Sequence, residues 1–201
     1  MRTQFAIETR VSRQPRVFLP GLSLHVMKRG NNRGPIFQDD ADYAVFLGLL
    51  RKAVRAHPIA LHAYVLMTNH YHLLVTPGTS TGLPLLMKEL NGAYTSYYNR
   101  EYQRIGTIWS GRYRGIVIQD ERYWLTCLRY IEQNPVRARL TRTAAEYRWS
   151  SYAAHADGRW TAWLQSHAIY EGLGPTPEER QKAYRCICES SLPADHLQFL
   201  R

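Results

Sequence analysis

Acidic residues are scarce in this chain, and so are cysteines and long apolar runs. Asp and Glu number 16 against 26 Lys and Arg, giving a formal net charge of +10 and a pI near 9.7. That imbalance excludes an acidic, solvating protein and points to a polyanionic partner, nucleic acid first. An anionic membrane surface fits less well, because no basic amphipathic helix stands out. The three cysteines, Cys127, Cys186 and Cys188, are odd in number and lack C-x-x-C or zinc-knuckle spacing. A disulfide scaffold is thereby excluded, and a reducing, cytoplasmic compartment is expected. No run of about 18 apolar residues occurs, so no transmembrane helix and no membrane partner are expected. Arg2, Arg10, Arg13 and Arg16 are followed by no apolar segment of the secretory kind. No internal repeat or low-complexity tract is present, which excludes a solenoid.

What is present is a chain of 201 residues, 45% hydrophobic. That length supports a buried core and one domain plus an appendage. Residues 1–19 read as a basic N-terminal arm, 20–152 as the principal domain and 153–201 as a C-terminal helical appendage. Leu22 to Arg29 reads as a strand. Residues 40–56 have helical periodicity, with Tyr43, Phe46, Leu47, Leu50 and Val54 on one face and Asp40 as cap. Ile59 to Met67 and His70 to Thr76 read as strands joined by a short hairpin connection. A second helix spans roughly 82–103, a fourth strand runs from Tyr113 to Gln119, and a third helix covers 121–134, ended by Pro135. A further helix is expected over 178–190. The order β-α-β-β-α-β followed by a helix is a ferredoxin-like split βαβ of the α+β class. It is an antiparallel sheet with two helices on one face and the other face free for a site.

His70 and His72 flank Tyr71 within the third of these strands. Side chains alternate along a strand, so both point to one face, about 6–7 Å apart at Cα, close enough to hold one cation. On the third helix, Tyr130 and Asn134 lie four apart and share a face. Were that helix to cross the open sheet face, two imidazoles and an amide oxygen would surround a divalent cation. Such a neutral set suits Mg²⁺ or Mn²⁺ acting on a bound phosphate. Tyr130 would then attack phosphorus, with Arg129 or the metal helping to remove its proton. Each piece has an ordinary structural reading when taken alone. His25 and His62, also on predicted strands, read as structural.

The combination and order of these motifs resembles the REP-associated tyrosine transposases, a branch of the single-tyrosine HUH transposases. The resemblance runs from about residue 15 to 152. It is carried by Pro15-Arg16, Pro20-Gly21, His25-Val26, Arg29-Gly30-Asn31-Asn32-Arg33, Met67 to Leu74, Trp109-Ser110-Gly111-Arg112-Tyr113, Tyr130-Ile131, Asn134-Pro135-Val136-Arg137-Ala138 and Trp149-Ser150-Ser151-Tyr152. Gly174 to Tyr184 also looks like the C-terminal region of this branch. The resemblance implies that residues 20–152 are a single-tyrosine transposase domain, that His70 and His72 are metal ligands, and that Tyr130 is the nucleophile. The product would be a 5′-phosphotyrosine link and a free 3′-OH. Asn134 falls where relatives carry a polar third ligand, often Gln. The implied substrate is single-stranded DNA bearing REP-type hairpins. No nucleotide cofactor is required, and a monomer is favoured over a dimer.

The basic and aromatic residues gain roles from this. Lys28, Arg29, Asn31, Asn32 and Arg33 lie beyond the first strand, Arg112 and Arg114 at the fourth, and Arg137 and Arg139 after the catalytic helix. All are expected to contact DNA. Trp109 and Tyr113 are expected to stack on unpaired bases. Two other readings compete: a hairpin-DNA-binding protein that no longer cuts, and a metal-dependent RNA nuclease that needs no tyrosyl intermediate.

Overall fold

Alternation along the strands decides the layering. The structure is a computed structural model and describes residues 19–118 and 120–190. The expected basic arm lies outside the described residues except for Leu19. Among them, β1 (Leu24–Arg29), β2 (Ile59–Met67), β3 (His70–Pro77) and β4 (Arg114–Val117) form an antiparallel sheet in the order β2-β3-β1-β4. This is the expected ferredoxin-like α+β arrangement. β4 is shorter than its apolar pattern predicts.

One sheet face carries Leu24, Val26, Leu61, Leu66, Tyr71, Leu73 and Val75. It packs against α1 (Asp40–Ala56) and α2 (Gly82–Glu101) through Phe46, Leu50, Leu83, Leu86, Leu90 and Tyr94. Asp39 caps α1 by accepting from the Asp42 N–H at 3.0 Å, a contact worth about 1 kcal/mol. The other face carries Ala63, Val65, Met67 and Leu74. It packs against α3 (Glu121–Glu132) through Trp124, Cys127, Leu128 and Ile131. The sheet is therefore covered on both sides, by two helices on one and by α3 on the other.

α3 does not run to residue 134. It stops at Glu132, Gln133 adopts φ −90° and ψ 3°, and a single turn, α4 (Asn134–Arg137), follows with Pro135 in its first positions. Proline tolerates the first turn of a helix and opposes the interior of one, so the break falls where the chain must restart.

Residues 149–151 run along the outer edge of β2. Leu66 N–H donates to Trp149 O at 2.9 Å and Ser151 N–H to Tyr64 O at 3.0 Å, so this edge is not left open to pair with another chain. The later helices are α5 (Tyr152–Asp157), α6 (Ala168–Glu171) and α7 (Pro177–Glu189). α7 begins in a capping box between Thr176 and Glu179.

This C-terminal region is tied to α3 by one carboxylate. Glu132 is fully buried and accepts from Ser151 Oγ at 2.5 Å, His155 Nδ1 at 2.8 Å and Tyr184 Oη at 2.6 Å. Arg129 donates to Ser190 O at 2.6 Å, and Gln133 donates to Cys188 O. No helix among the described residues is long and apolar enough to cross a membrane.

Candidate active site

Strand register builds the site first. Arg29 pairs with His70, Met27 with His72 and His25 with Leu74, and paired residues share a face. His70 and His72 therefore project toward α3, their ring centroids 5.0 Å apart and their planes at 84°. Tyr130, from the last turn of α3, meets the His72 ring edge-on at 5.8 Å between centroids. Asn134, across the break at Gln133, brings its amide nitrogen to 3.3 Å from His72 Nε2. Tyr130 and Asn134 thus converge as expected from their spacing, but through a helix break rather than along one helix. Both line a cleft of about 410 Å³ with Met27, Arg29, His70, His72, Arg137 and Ala138.

The neighbours of each imidazole decide where its lone pair points. Asn69 Nδ2 donates to Arg33 O at 2.9 Å, so its Oδ1 is the atom 2.7 Å from His70 Nδ1. An amide oxygen only accepts, so His70 carries its proton on Nδ1 and presents a bare Nε2. His72 Nδ1 lies 2.7 Å from His25 Nε2, leaving its Nε2 toward Asn134 and the cleft. Burial, with Arg29 nearby, lowers His70 to about 4, and the Asn134 side chain opposes this in part. Burial, with His25, His70, Arg29 and Arg137 adding to it, holds His72 well below the usual histidine range. Near neutral pH neither ring need shed a proton before binding a cation.

The basic loop is fixed beside His70. Gly30 N–H donates to Asn69 O at 2.8 Å and Asn31 N–H to Ile108 O at 2.8 Å. A Cβ on Gly30 would meet Gly34 O at 2.3 Å, so the tight return after β1 needs glycine there. Asn31, Asn32 and Arg33 are exposed, the last two in the left-handed region at φ 50° and 57°. Arg112, Arg114 and Arg139 are exposed as well, and Tyr113 is half-buried against the α1–α2 core.

Two residues expected to contact DNA are buried. Lys28 follows the opposite parity to Arg29, is 7% exposed and donates its ammonium to Gly111 O. It braces the sheet on the α1–α2 side and does not reach the cleft. Trp109 is 6% exposed, and its indole N–H donates to Thr95 Oγ1 at 2.8 Å. That ring packs in the core beside α2 and lies outside the cleft. Arg129, considered as a helper of Tyr130, is buried toward Ser190. Arg137 is the arginine beside Tyr130, its guanidinium 4.1 Å from the ring centroid. His25, read as structural, touches both His72 and Tyr130. Its place two residues before Met27, in the parity of Arg29, is the signal that could have found it.

A larger cleft of about 840 Å³ at the far end of the sheet is lined by Arg55, His57, Pro58 and Trp163 among others. Its histidine is engaged by Glu89 at 2.9 Å, and it assembles no comparable set of donors.

A split βαβ sheet presenting two histidines, a tyrosine and an amide in a cleft flanked by arginines suits enzymes that work on phosphodiesters. Residues 19–134 match the family described as "Transposase IS200 like", and the chain belongs to that family of DNA-processing enzymes. Its fold is similar to a solved structure of the REP-associated tyrosine transposase bound to a REP hairpin. That match has TM-score 0.58 and 16% identity over 79% of this chain and 93% of that one. Weaker similarity is found to a protein of Deinococcus radiodurans R1 described as a transposase, with TM-score 0.42 and 18% identity over 55% and 89% of the two chains. The tRNA(His) guanylyltransferase of Saccharomyces cerevisiae matches with TM-score 0.47 and 11% identity over 89% and 82%. No match is found among curated proteins.

Proposed function

We propose that this chain is a single-tyrosine strand-transferase that cuts and rejoins single-stranded DNA carrying hairpins of the REP type. The observation that carries the reading is that Tyr130, His70, His72 and Asn134 line one cleft. The structure of a relative bound to a REP hairpin supports the substrate class.

The donor set fits a divalent cation. Two imidazoles kept neutral by burial turn toward an amide, and among the described residues no cluster of three or more His, Cys, Asp or Glu offers another site. Neutral ligands leave the cation its full charge and open positions, as Mn²⁺ or Mg²⁺ on a phosphate requires. His70 Nε2, His72 Nε2 and the Asn134 amide oxygen would hold it. When bound, the cation polarises a non-bridging phosphate oxygen and offsets the charge that develops in the transition state.

The remaining chemistry belongs to the chain. Arg29 and Arg137 line the cleft and bind the phosphates of the entering strand. The Tyr130 oxygen attacks phosphorus, forming a tyrosyl ester as the P–O3′ bond breaks. The phenolic proton passes to solvent, and the departing oxygen takes up a proton to become a 3′-OH. The 5′ side stays on Tyr130, and attack by a second 3′-OH releases it. One phosphodiester is exchanged for another, so no nucleotide is consumed.

A denaturing gel of protein incubated with labelled hairpin DNA and Mn²⁺ tests this. Wild-type protein should yield a covalent adduct, and Tyr130→Phe should yield none while still binding the hairpin. Undiminished cleavage by that variant would eliminate Tyr130 as nucleophile. One observation favours the second reading, a hairpin-binding protein without cutting activity: Tyr130 is only 5% exposed. The same gel separates the two, since binding alone leaves no adduct.

A further inference from the structure

We propose that His25 is a positioning residue that sets the tautomer of His72 and holds its ring against Tyr130. This rests on the reading that His70 and His72 hold a divalent cation.

Three observations carry it. His25 Nε2 lies 2.7 Å from His72 Nδ1, and the two rings stack at 4.9 Å with 20° between planes. The same His25 ring meets Tyr130 at 70° and 5.8 Å. Its other nitrogen, Nδ1, is buried and has no hydrogen-bond partner among the described residues. A histidine kept only for packing would have both nitrogens satisfied or would be exchangeable for leucine. His25 leaves one polar atom unmatched in the interior of β1, between Leu24 and Val26, and uses the other on a candidate ligand.

Proton bookkeeping shows what that contact does. Two neutral rings share one proton across the Nε2–Nδ1 contact. If His25 holds it, His72 carries its own proton on Nε2, and the atom facing the cleft cannot bind a cation. If His72 Nδ1 holds it and donates to His25 Nε2, the His72 lone pair sits on Nε2, toward Asn134. His25 then carries its proton on the unmatched Nδ1. Cation binding therefore requires the second arrangement, with His25 as obligatory acceptor. Asn69 does the same for His70 from the loop side. Ligands oriented in this way by outer partners are the rule in metal sites.

The test is Mn²⁺ binding by the full chain, read from the electron paramagnetic resonance of free Mn²⁺, so that no turnover is needed. His25→Phe keeps a ring and removes the acceptor; His25→Gln restores an acceptor. The expected result is a loss of roughly 10–100-fold in affinity for the first and recovery to within a few-fold for the second. Unchanged Mn²⁺ affinity in His25→Phe, or equal losses in both variants, overturns the proposal. His72→Ala separates this from failure of the underlying reading: if that variant also binds Mn²⁺ normally, the metal site itself is wrong. Should His25→Phe not fold, nitrogen-15 imidazole spectra of the wild-type protein saturated with Mg²⁺ decide the matter. The His25 proton is expected on Nδ1, and finding it on Nε2 overturns the proposal.

Discussion

The Arg137 guanidinium lies 4.1 Å above the centre of the Tyr130 ring. A cation over the face of a phenol is attracted to the ring and holds it in place. Removing the side chain loses an interaction of about 0.5–2 kcal/mol together with a phosphate contact. Arg137→Ala is expected to slow single-turnover cleavage by roughly tenfold or more with little change in melting temperature. Wild-type rates in this variant would show that the stacked pair is decorative.

Arg29 and Lys28 are neighbours in sequence with opposite fates, and salt dependence tells them apart. Arg29 lines the cleft; Lys28 donates to a carbonyl on the far face. Each phosphate contact releases condensed counterions, so Arg29→Ala should reduce the slope of log affinity against log salt by about one. Lys28→Met should leave that slope unchanged and lower thermal stability instead. A reduced slope in Lys28→Met would return that residue to the DNA interface.

Glu132 gathers Ser151, His155 and Tyr184 around one buried carboxylate. Replacing it by alanine strands three buried groups and is expected to cost about 3–5 kcal/mol. Tyr184→Phe removes one bond and should cost about 1–2 kcal/mol. Thermal melts of the two variants check the order. A Glu132→Ala protein as stable as wild type would mean that α7 packs on α3 without this anchor.

Acid should destabilise the fold before carboxylates titrate. Burial lowers His62 to about 4 and His25 to about 3, and His70 to about 4, while each titrates near 6.5 in the unfolded chain. Between those values the unfolded state binds the extra proton. The stability these groups give is complete above pH 6.5 and falls as pH drops toward 4. The slope is roughly 1.4 kcal/mol per pH unit for each such histidine. Melting temperature measured from pH 8 to 4.5 should therefore be flat and then decline below about 6.5. A flat profile down to pH 5 would contradict the buried, neutral assignment.

Much of the fold was legible because its signals are periodic. Alternation from His70 to Thr76 and the 3.6-residue stripe of α1 are local properties, and the split βαβ order follows from their sequence. The pairing of His70 with His72 on one face followed from the same alternation. What escaped depends on partners distant in sequence. Lys28 looked like a member of a basic loop because its face is set by registry with Tyr71, although parity with Arg29 already separated them. Trp109 looked like a stacking platform because its hydrogen bonds to α2 are long-range. The break at Gln133 was hidden because i to i+4 spacing brings Tyr130 and Asn134 together with or without it. Nothing local in the sequence marks Glu132 as buried, because its partners lie 19 to 52 residues downstream.

The central claim is that one phenolic oxygen takes the broken strand. Digesting the DNA adduct with protease and nuclease, then sequencing the modified peptide by tandem mass spectrometry, tests it most directly. The account predicts a nucleotide carried through its 5′-phosphate on Tyr130, in the peptide that contains Ile131 and Glu132. A phosphate on any other side chain, or DNA cleaved with no linked peptide at all, would contradict it.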